Sequence, residues 1–248
     1  MKQITIACFS PSGGTKRAAE LLAGMLGEVK AWCDLIDPAQ RSVALGEEDL
    51  LVLALPVYAG RIPAVDGFSD GLTGRNTPCV LLAAYGNRHY DDALAQMKEK
   101  LNKQGFRCVG GAAVITPHIF APELGSGRPD VQDCALLADF ACRVREKLAE
   151  GNWEEASLPG QPVPEPKKAV PVPKSRDWEK CVRCGLCARR CPTGAMDGQS
   201  LDWDMERCIS CMACVNACPK GALRFDAAPI RERLTANFST PRAVEIFL

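Results

Sequence analysis

Eight of the fourteen cysteines fall in two short runs. "CVRCGLCARRCP" holds Cys181, Cys184, Cys187 and Cys191; "CISCMACVNACP" holds Cys208, Cys211, Cys214 and Cys218. Each run reads C-x2-C-x2-C-x3-C-P. Thiolates are soft ligands for iron, and three on one tight loop can each hold a different iron of a cubane. The fourth iron needs a cysteine from elsewhere, and in this spacing the fourth cysteine of each run ligates the other cluster. The expected sets are therefore crossed: Cys181, Cys184, Cys187 and Cys218 for cluster I, and Cys208, Cys211, Cys214 and Cys191 for cluster II. Zinc also uses C-x2-C pairs, but it wants two pairs parted by a longer loop. It gains nothing from a third cysteine two residues on or from a closing proline. Two [4Fe-4S] clusters are the expectation. Pro192, Gly194 and Ala195 recur as Pro219, Gly221 and Ala222 at the same offset of 27 residues, so the segment is a duplicated unit. Trp178 and Trp203 flank the motifs and are expected to shield the clusters.

The other group with chemistry lies at the opposite end of the chain. "SPSGGTKRA", Ser10 to Ala18, stands between a strand-like run and a helix-like run. Gly13 and Gly14 let the backbone approach a ligand closely. Ser10, Ser12 and Thr15 place hydroxyls around the same turn. A helix starting near Thr15 adds unpaired N–H groups and the positive end of its dipole. The combination suits an anion, most naturally a phosphate. The turn has neither the G-x-G-x-x-G of a dinucleotide site nor the lysine and hydroxyl residue of a Walker loop.

These groups must be positioned by elements. Residues 3–9, 29–36, 49–57, 78–85 and 106–116 read as strands, and helices are expected from Thr15 to Leu26, from Asp91 to Gly105, and from about Asp130 to Glu150. The run 49–57 is apolar throughout, as a strand buried on both faces should be. Strands interleaved with helices imply an α/β fold: a five-stranded parallel sheet with helices on both faces, in the flavodoxin-like order 2-1-3-4-5. The expected units are 1–157 for this domain, 158–175 as an extended linker with six prolines, 176–226 for a small α+β cluster domain, and 227–248 as a tail whose apolar end packs back on one of the two. Lys+Arg and Asp+Glu are both 30, which argues against a nucleic-acid surface. No apolar run reaches the length of a membrane span, and "MKQITIACFS" is too quickly polar for a signal peptide, so a cytoplasmic location is expected. The scattered Cys8, Cys33, Cys79, Cys108, Cys134 and Cys142 read as reduced, buried hydrophobes.

In the 2-1-3-4-5 order a ligand crevice opens at the carboxyl ends of strands 1 and 3, with strand 4 beside them. The loops there are 56–63, with Pro56, Val57, Tyr58, Ala59 and Gly60, and 85–92, with Tyr85, Gly86, Asn87 and Tyr90. All three tyrosines of the chain lie in these two loops. A flavin ring needs a flat aromatic neighbour and polar groups at its edges, for which Asn87 and Gly60 are candidates. Arg61 and Arg88 read equally as charges that neutralise a reduced flavin or an incoming anion and as solvated surface; His89 and His118 read more plainly as polar surface, with a proton relay to the flavin as the alternative. The loop 121–133 is placed to cover the ligand or a partner.

The glycine turn resembles the flavodoxin phosphate loop, [ST]-x-[ST]-G-x-T, with Ser10, Ser12, Gly13 and Thr15 matching. The doubled cysteine motif over roughly 176–226 resembles the bacterial two-[4Fe-4S] ferredoxins. Together with "LPVYAGRIP" and "YGNRHYDDAL", the chain resembles the flavodoxin–ferredoxin fusion proteins of anaerobic bacteria. The resemblance implies FMN on Ser10, Ser12, Gly13, Gly14, Thr15 and the two tyrosine loops. It also implies electron transfer between that FMN and two [4Fe-4S] clusters, in anaerobic metabolism. The alternatives are an FMN-dependent reductase of a small molecule fed by the cluster domain, and a ferredoxin with a flavin-free docking domain. A redox partner protein is expected, as donor or acceptor, with transfer across subunits if the chain forms a homodimer.

Overall fold

The computed structural model describes residues 2–151, 153–163 and 171–248. The chain runs β1 (Gln3–Cys8), α1 (Gly14–Leu26), β2 (Val29–Asp34), β3 (Ser42–Leu45), β4 (Asp49–Pro56), β5 (Gly71–Gly74), β6 (Thr77–Tyr85), α2 (Ala93–Asn102), β7 (Phe106–Ile115) and α3 (Val131–Ala149). It continues through β8 (Lys174–Arg176), α4 (Leu186–Arg189), α5 (Ala213–Asn216), β9 (Leu223–Phe225), α6 (Ala228–Phe238) and β10 (Glu245–Phe247).

The main sheet has the order β10-β7-β6-β4-β1-β2. Its first five strands in sequence are parallel, and among themselves they take the flavodoxin-like order expected above. Every residue of β6 is buried, and β4 is buried except at its ends, which is why both read as unbroken apolar runs. Adjacent glycines in β7 show the layers on each side. A Cβ at Gly110 would strike Phe140 of α3, and one at Gly111 would strike Leu158 and come within contact of Leu94 of α2. Consecutive strand residues face opposite ways. So α3 covers one face together with α1, and α2 covers the other. Asp130 caps α3 through a reciprocal box with Asp133.

Three features go beyond the expectation. Residues 35–48 and 57–76 carry no α-helix; a separate parallel ladder of β3 and β5 fills that side. The proline-rich 158–175 is not a spacer along its whole length: Leu158 packs on the main core, Val172 is fully buried, and β8 begins at Lys174. Residues 164–170 of that stretch lie outside the described ones. The tail 227–248 is mostly regular: α6 follows the cluster unit, and β10 joins the main sheet antiparallel to β7. Among the described residues no helix is long and apolar enough to cross a membrane.

The cluster unit carries its duplication in the backbone. Arg183 and Ser210 share φ 53°, Gly185 and Met212 have φ 71° and 62°, and Gly194 and Gly221 have φ 62° and 56°. α4 and α5 are equivalent turns at the same offset. Arg176 pairs with Leu223 across β8 and β9, and Trp203 pairs with Met196 in the equivalent place. Each half thus contributes one strand to a ladder with the other half. This interleaving carries the fourth cysteine of each run across to its counterpart.

Candidate functional site

Two hollows lie in the cluster unit. One is lined by Cys181, Cys184, Cys187 and Cys218, with Arg176, Arg183 and Lys220 at its walls. The other is lined by Cys191, Cys208, Cys211 and Cys214, with Lys174, Trp203 and Ile209. The thiols surround a space rather than meet at a point. Among the described residues no group of three His, Cys, Asp or Glu is arranged to hold a single metal ion. A hollow ringed by four thiols fits a cubane, whose irons are spread over its corners.

β8 supplies a cation to each hollow from residues i and i+2. Arg176 Nη1 donates to Cys181 Sγ at 3.4 Å, and Lys174 Nζ donates to Cys208 Sγ at 3.2 Å. The backbone N–H of Arg183 and the Arg176 guanidinium hold the Cys181 thiol below its ordinary value. Burial instead pushes Cys211 up to about 12 and Cys214 in the same direction, and with Cys184 exposed in the first hollow and no thiol exposed in the second, the second is the drier one. Trp203 stands over it beside Cys214. Trp178 does not shield as expected: it is 50% exposed, with Arg183 stacked 4.7 Å from its ring centroid. Of the scattered cysteines, Cys8, Cys33, Cys79 and Cys108 are buried, while Cys134 and Cys142 are partly exposed on α3.

The glycine turn lies at the carboxyl edge of the sheet, between β1 and α1. Gly13 adopts φ 87° and precedes the helix without a side-chain cap. Ser10 Oγ accepts from Lys16 N at 2.9 Å, Thr15 is buried, and Ser12 is exposed. Among the described residues, no acceptor reaches the N–H groups of Gly14 and Thr15. A cleft of about 320 Å³ opens there, lined by Ser12, Gly13, Gly14 and Arg17 on one side and by Pro117, His118, Ile119, Pro122 and Arg128 on the other. That size is within the range of small-molecule sites. His118 Nδ1 accepts from Phe120 N at 3.1 Å, and burial pushes its imidazole down to about 4. The ring is therefore neutral with its proton on Nε2.

The tyrosine loops are used differently from what their sequence suggests. Tyr58, Ala59, Gly60 and Arg61 form a tight reversal, with Tyr58 and Arg61 exchanging backbone hydrogen bonds of 2.8 and 3.0 Å. Ala59 and Gly60 both take positive φ, and a Cβ on Gly60 would overlap Asp91. Pro56 ends β4 and Val57 donates to Ala84 O, which ties this loop to β6. Burial drives the Tyr58 phenol well above its ordinary value, and Cys211 of the second hollow adds to the shift. Tyr85, Asn87 and Tyr90 turn to the tail. Asn87 Nδ2 donates to Phe238 O at 2.6 Å and Thr240 O at 2.9 Å, and its Oδ1 accepts from Arg242 N at 2.9 Å. Tyr90 Oη donates to Glu245 at 2.8 Å, and its ring meets Tyr85 and Phe247 edge-on. Both Nδ2 hydrogens of Asn87 are thus taken by backbone carbonyls of the tail. None of these four side chains lines the 320 Å³ cleft. Gly86 serves it indirectly, because any Cβ there would occupy the place of the His118 ring.

Sequence reasoning did not single out Arg17 and Arg128, which line the cleft, and held a proton relay through His118 only as the alternative to polar surface. The position of 117–122 directly after β7, at the same edge of the sheet, is the signal that places His118 there. Of the loop 121–133, Pro122 and Arg128 line the cleft.

The cluster unit sits on that same edge. Asn216 Nδ2 donates to Pro11 O at 3.1 Å, one residue before Ser12. Arg190 pairs with Asp34 at 2.9 Å, and Arg41 Nη2 reaches Pro192 O at 3.4 Å. Ile209, from the wall of the second hollow, packs against the core of the main sheet. Phe120 stacks edge-on with Phe225 at 5.9 Å, and Leu234 of α6 packs with Ala121 and Leu124.

A 4Fe-4S dicluster domain model matches residues 173–219. No curated protein matches the chain. Among solved structures the chain is similar to an archaeal flavodoxin at 13% identity, covering 59% of this chain and 99% of that one with a TM-score of 0.42. It is similar to the flavodoxin of Streptococcus pneumonia TIGR4 at 16% identity, with 58% and 99% covered and a TM-score of 0.41. For two-electron reduced Megasphaera elsdenii flavodoxin the identity is 14%, the coverage 57% and 99%, and the TM-score 0.37.

Proposed function

We propose that the protein transfers electrons between two [4Fe-4S] clusters and an FMN held in one chain. The observation that carries this reading is the seating of the cluster unit on the carboxyl edge of the sheet. It brings the second, drier hollow against the edge where the glycine turn and its cleft lie. In this reading Cys181, Cys184, Cys187 and Cys218 ligate cluster I, and Cys208, Cys211, Cys214 and Cys191 ligate cluster II. The phosphate of FMN rests on the turn Ser10–Thr15, received by the unengaged N–H groups of Gly14 and Thr15 and by Ser12. Arg17 and Arg128 supply positive charge at the cleft walls, and His118 presents a fixed N–H donor. Tyr58 is buried near Cys211 of the second hollow. When bound, the clusters supply one-electron carriers and the flavin a centre that takes one electron or two.

Anaerobic purification followed by cofactor analysis tests the reading. About eight irons, about eight sulfides and about one FMN are expected per chain. Gly13→Asp places a carboxylate at the helix N-terminus where the phosphate should sit; its Cβ meets nothing within 4 Å, and the φ of 87° adds backbone strain to the charge. It is expected to remove FMN and leave iron and sulfide intact. Iron and sulfide without flavin in the parent protein would leave the flavin-free docking domain as the reading. Zinc in place of iron would overturn it altogether.

A further inference from the structure

The two hollows differ in what surrounds them. The second is turned toward the chain's own first domain, through Ile209, Tyr58 and the Asn216 contact with Pro11. The first is turned outward: Cys184 is exposed, and beside it Trp178 and Val182 are 50% and 60% exposed. These are two of the six large hydrophobic residues left exposed among the described residues, and both belong to the cluster I run or its approach. The charge there is mainly positive, with Asp177 and Glu179 beside Trp178 as the acidic exceptions. The hollow is lined by Arg176, Arg183 and Lys220 and by no acidic residue. Lys180 is paired with Asp177, but no ion pair among the described residues takes up Arg183, Arg189 or Lys220. Arg189 instead crosses to the carbonyl of Cys184 at 3.0 Å, which holds its charge next to the exposed cysteine.

An exposed aromatic and a valine ringed by unpaired cations describe a docking surface with an apolar centre and a charged rim. We propose that this surface receives an acidic electron-carrier protein, with cluster I as the port to the outside and cluster II as the link to the first domain. This rests on the reading of the eight cysteines as cluster ligands. One electron passes between carrier and protein, one oxidised as the other is reduced, and no bond or proton is moved. The net charge of the whole chain is near zero, so the attraction is local to this face. It favours a carrier whose own redox centre is ringed by carboxylates.

The test uses the full-length protein as purified anaerobically, after iron and sulfide analysis. Absence of iron at that stage refutes the cluster reading itself and is thereby told apart from failure of the docking. Binding is measured by biolayer interferometry with two probes, a strongly acidic two-cluster ferredoxin and the basic cytochrome c. The acidic probe is expected to bind, and its affinity to fall about tenfold or more as salt rises from ~20 to ~200 mM, the range over which exposed charges become screened. Cytochrome c is expected not to bind. Arg189→Glu, which stands outside the hollow lining, and Trp178→Ala are each expected to weaken the acidic probe about tenfold with iron content unchanged. Equal binding of both probes, affinity indifferent to salt, or unchanged affinity in both variants would overturn the proposal. So would sedimentation as a dimer that Trp178→Ala converts to a monomer, because the face would then belong to a second copy. The salt dependence of the parent protein stands even if a variant fails to fold.

Discussion

Single residues decide which metal centre a change will reach. Cys218 lies in the second cysteine run, yet it lines the hollow of Cys181, Cys184 and Cys187. Cys218→Ala is expected to abolish the signal of that cluster in the electron paramagnetic spectrum of the reduced protein, while the cluster of Cys208, Cys211 and Cys214 persists. Loss confined to the latter would break the crossed assignment. His118 ties a residue to pH. Its folded value of about 4 lies below the ordinary 6.5, so the unfolded chain takes up a proton first as pH falls. Stability is therefore expected to drop between pH 6.5 and 4, by at most about 3 kcal/mol. Chemical denaturation of the parent and of His118→Gln at pH 7 and pH 5 checks this. The difference between the two proteins should shrink toward the acid end, and a constant difference would exclude the linkage.

Among the elements, those with a local pattern were readable and those without were not. Four of the five parallel strands announce themselves as apolar runs, β2 being the mostly exposed exception, and α3 announces itself through Asp130, because burial on both faces and helix capping leave marks within a few neighbouring residues. β3 and β5 are four residues each, too short for an alternation to stand out. α6 buries only Leu234 among its own residues, so it lacks an apolar stripe to be read. The use of Asn87 was illegible for another reason. Its partners lie some 150 residues away, and nothing in "YGNRHY" records them. The cysteines were the reverse case, since a ligand spacing is chemistry written directly into sequence. Asn87→Ala is expected to cost about 1–3 kcal/mol, since it removes three hydrogen bonds between the buried Asn87 amide and the partly exposed backbone of Phe238, Thr240 and Arg242. Limited proteolysis should then cut first near residue 240. A variant with normal stability but reduced flavin content would instead return Asn87 to the flavin.

At the scale of the whole molecule, the chain leaves the first domain, builds the cluster unit, and returns through α6 and β10 to the sheet it left. A proline-rich connection alone would let the cluster unit swing. The second anchorage, together with the Arg190–Asp34 and Asn216–Pro11 contacts, holds it down. A protease site inserted within 164–170 tests which connection matters. The cut protein is expected to elute as one species in gel filtration and to keep a rate of internal electron exchange independent of concentration. Separation into two fragments would show that the backbone tether, and not the docked surface, couples the halves.

The outward hollow has one more consequence. Cys184 is exposed, whereas Cys214 is buried and Tyr58 stands by Cys211. A sulfur that a carrier can approach is also open to dioxygen, and thiolate oxidation follows exposure. Damage in air therefore begins at the entrance and works inward. If cluster I is the port proposed above, the protein is expected to lose its connection to the outside before the centre beside its first domain, so that a brief exposure to air isolates the inner centre instead of destroying it.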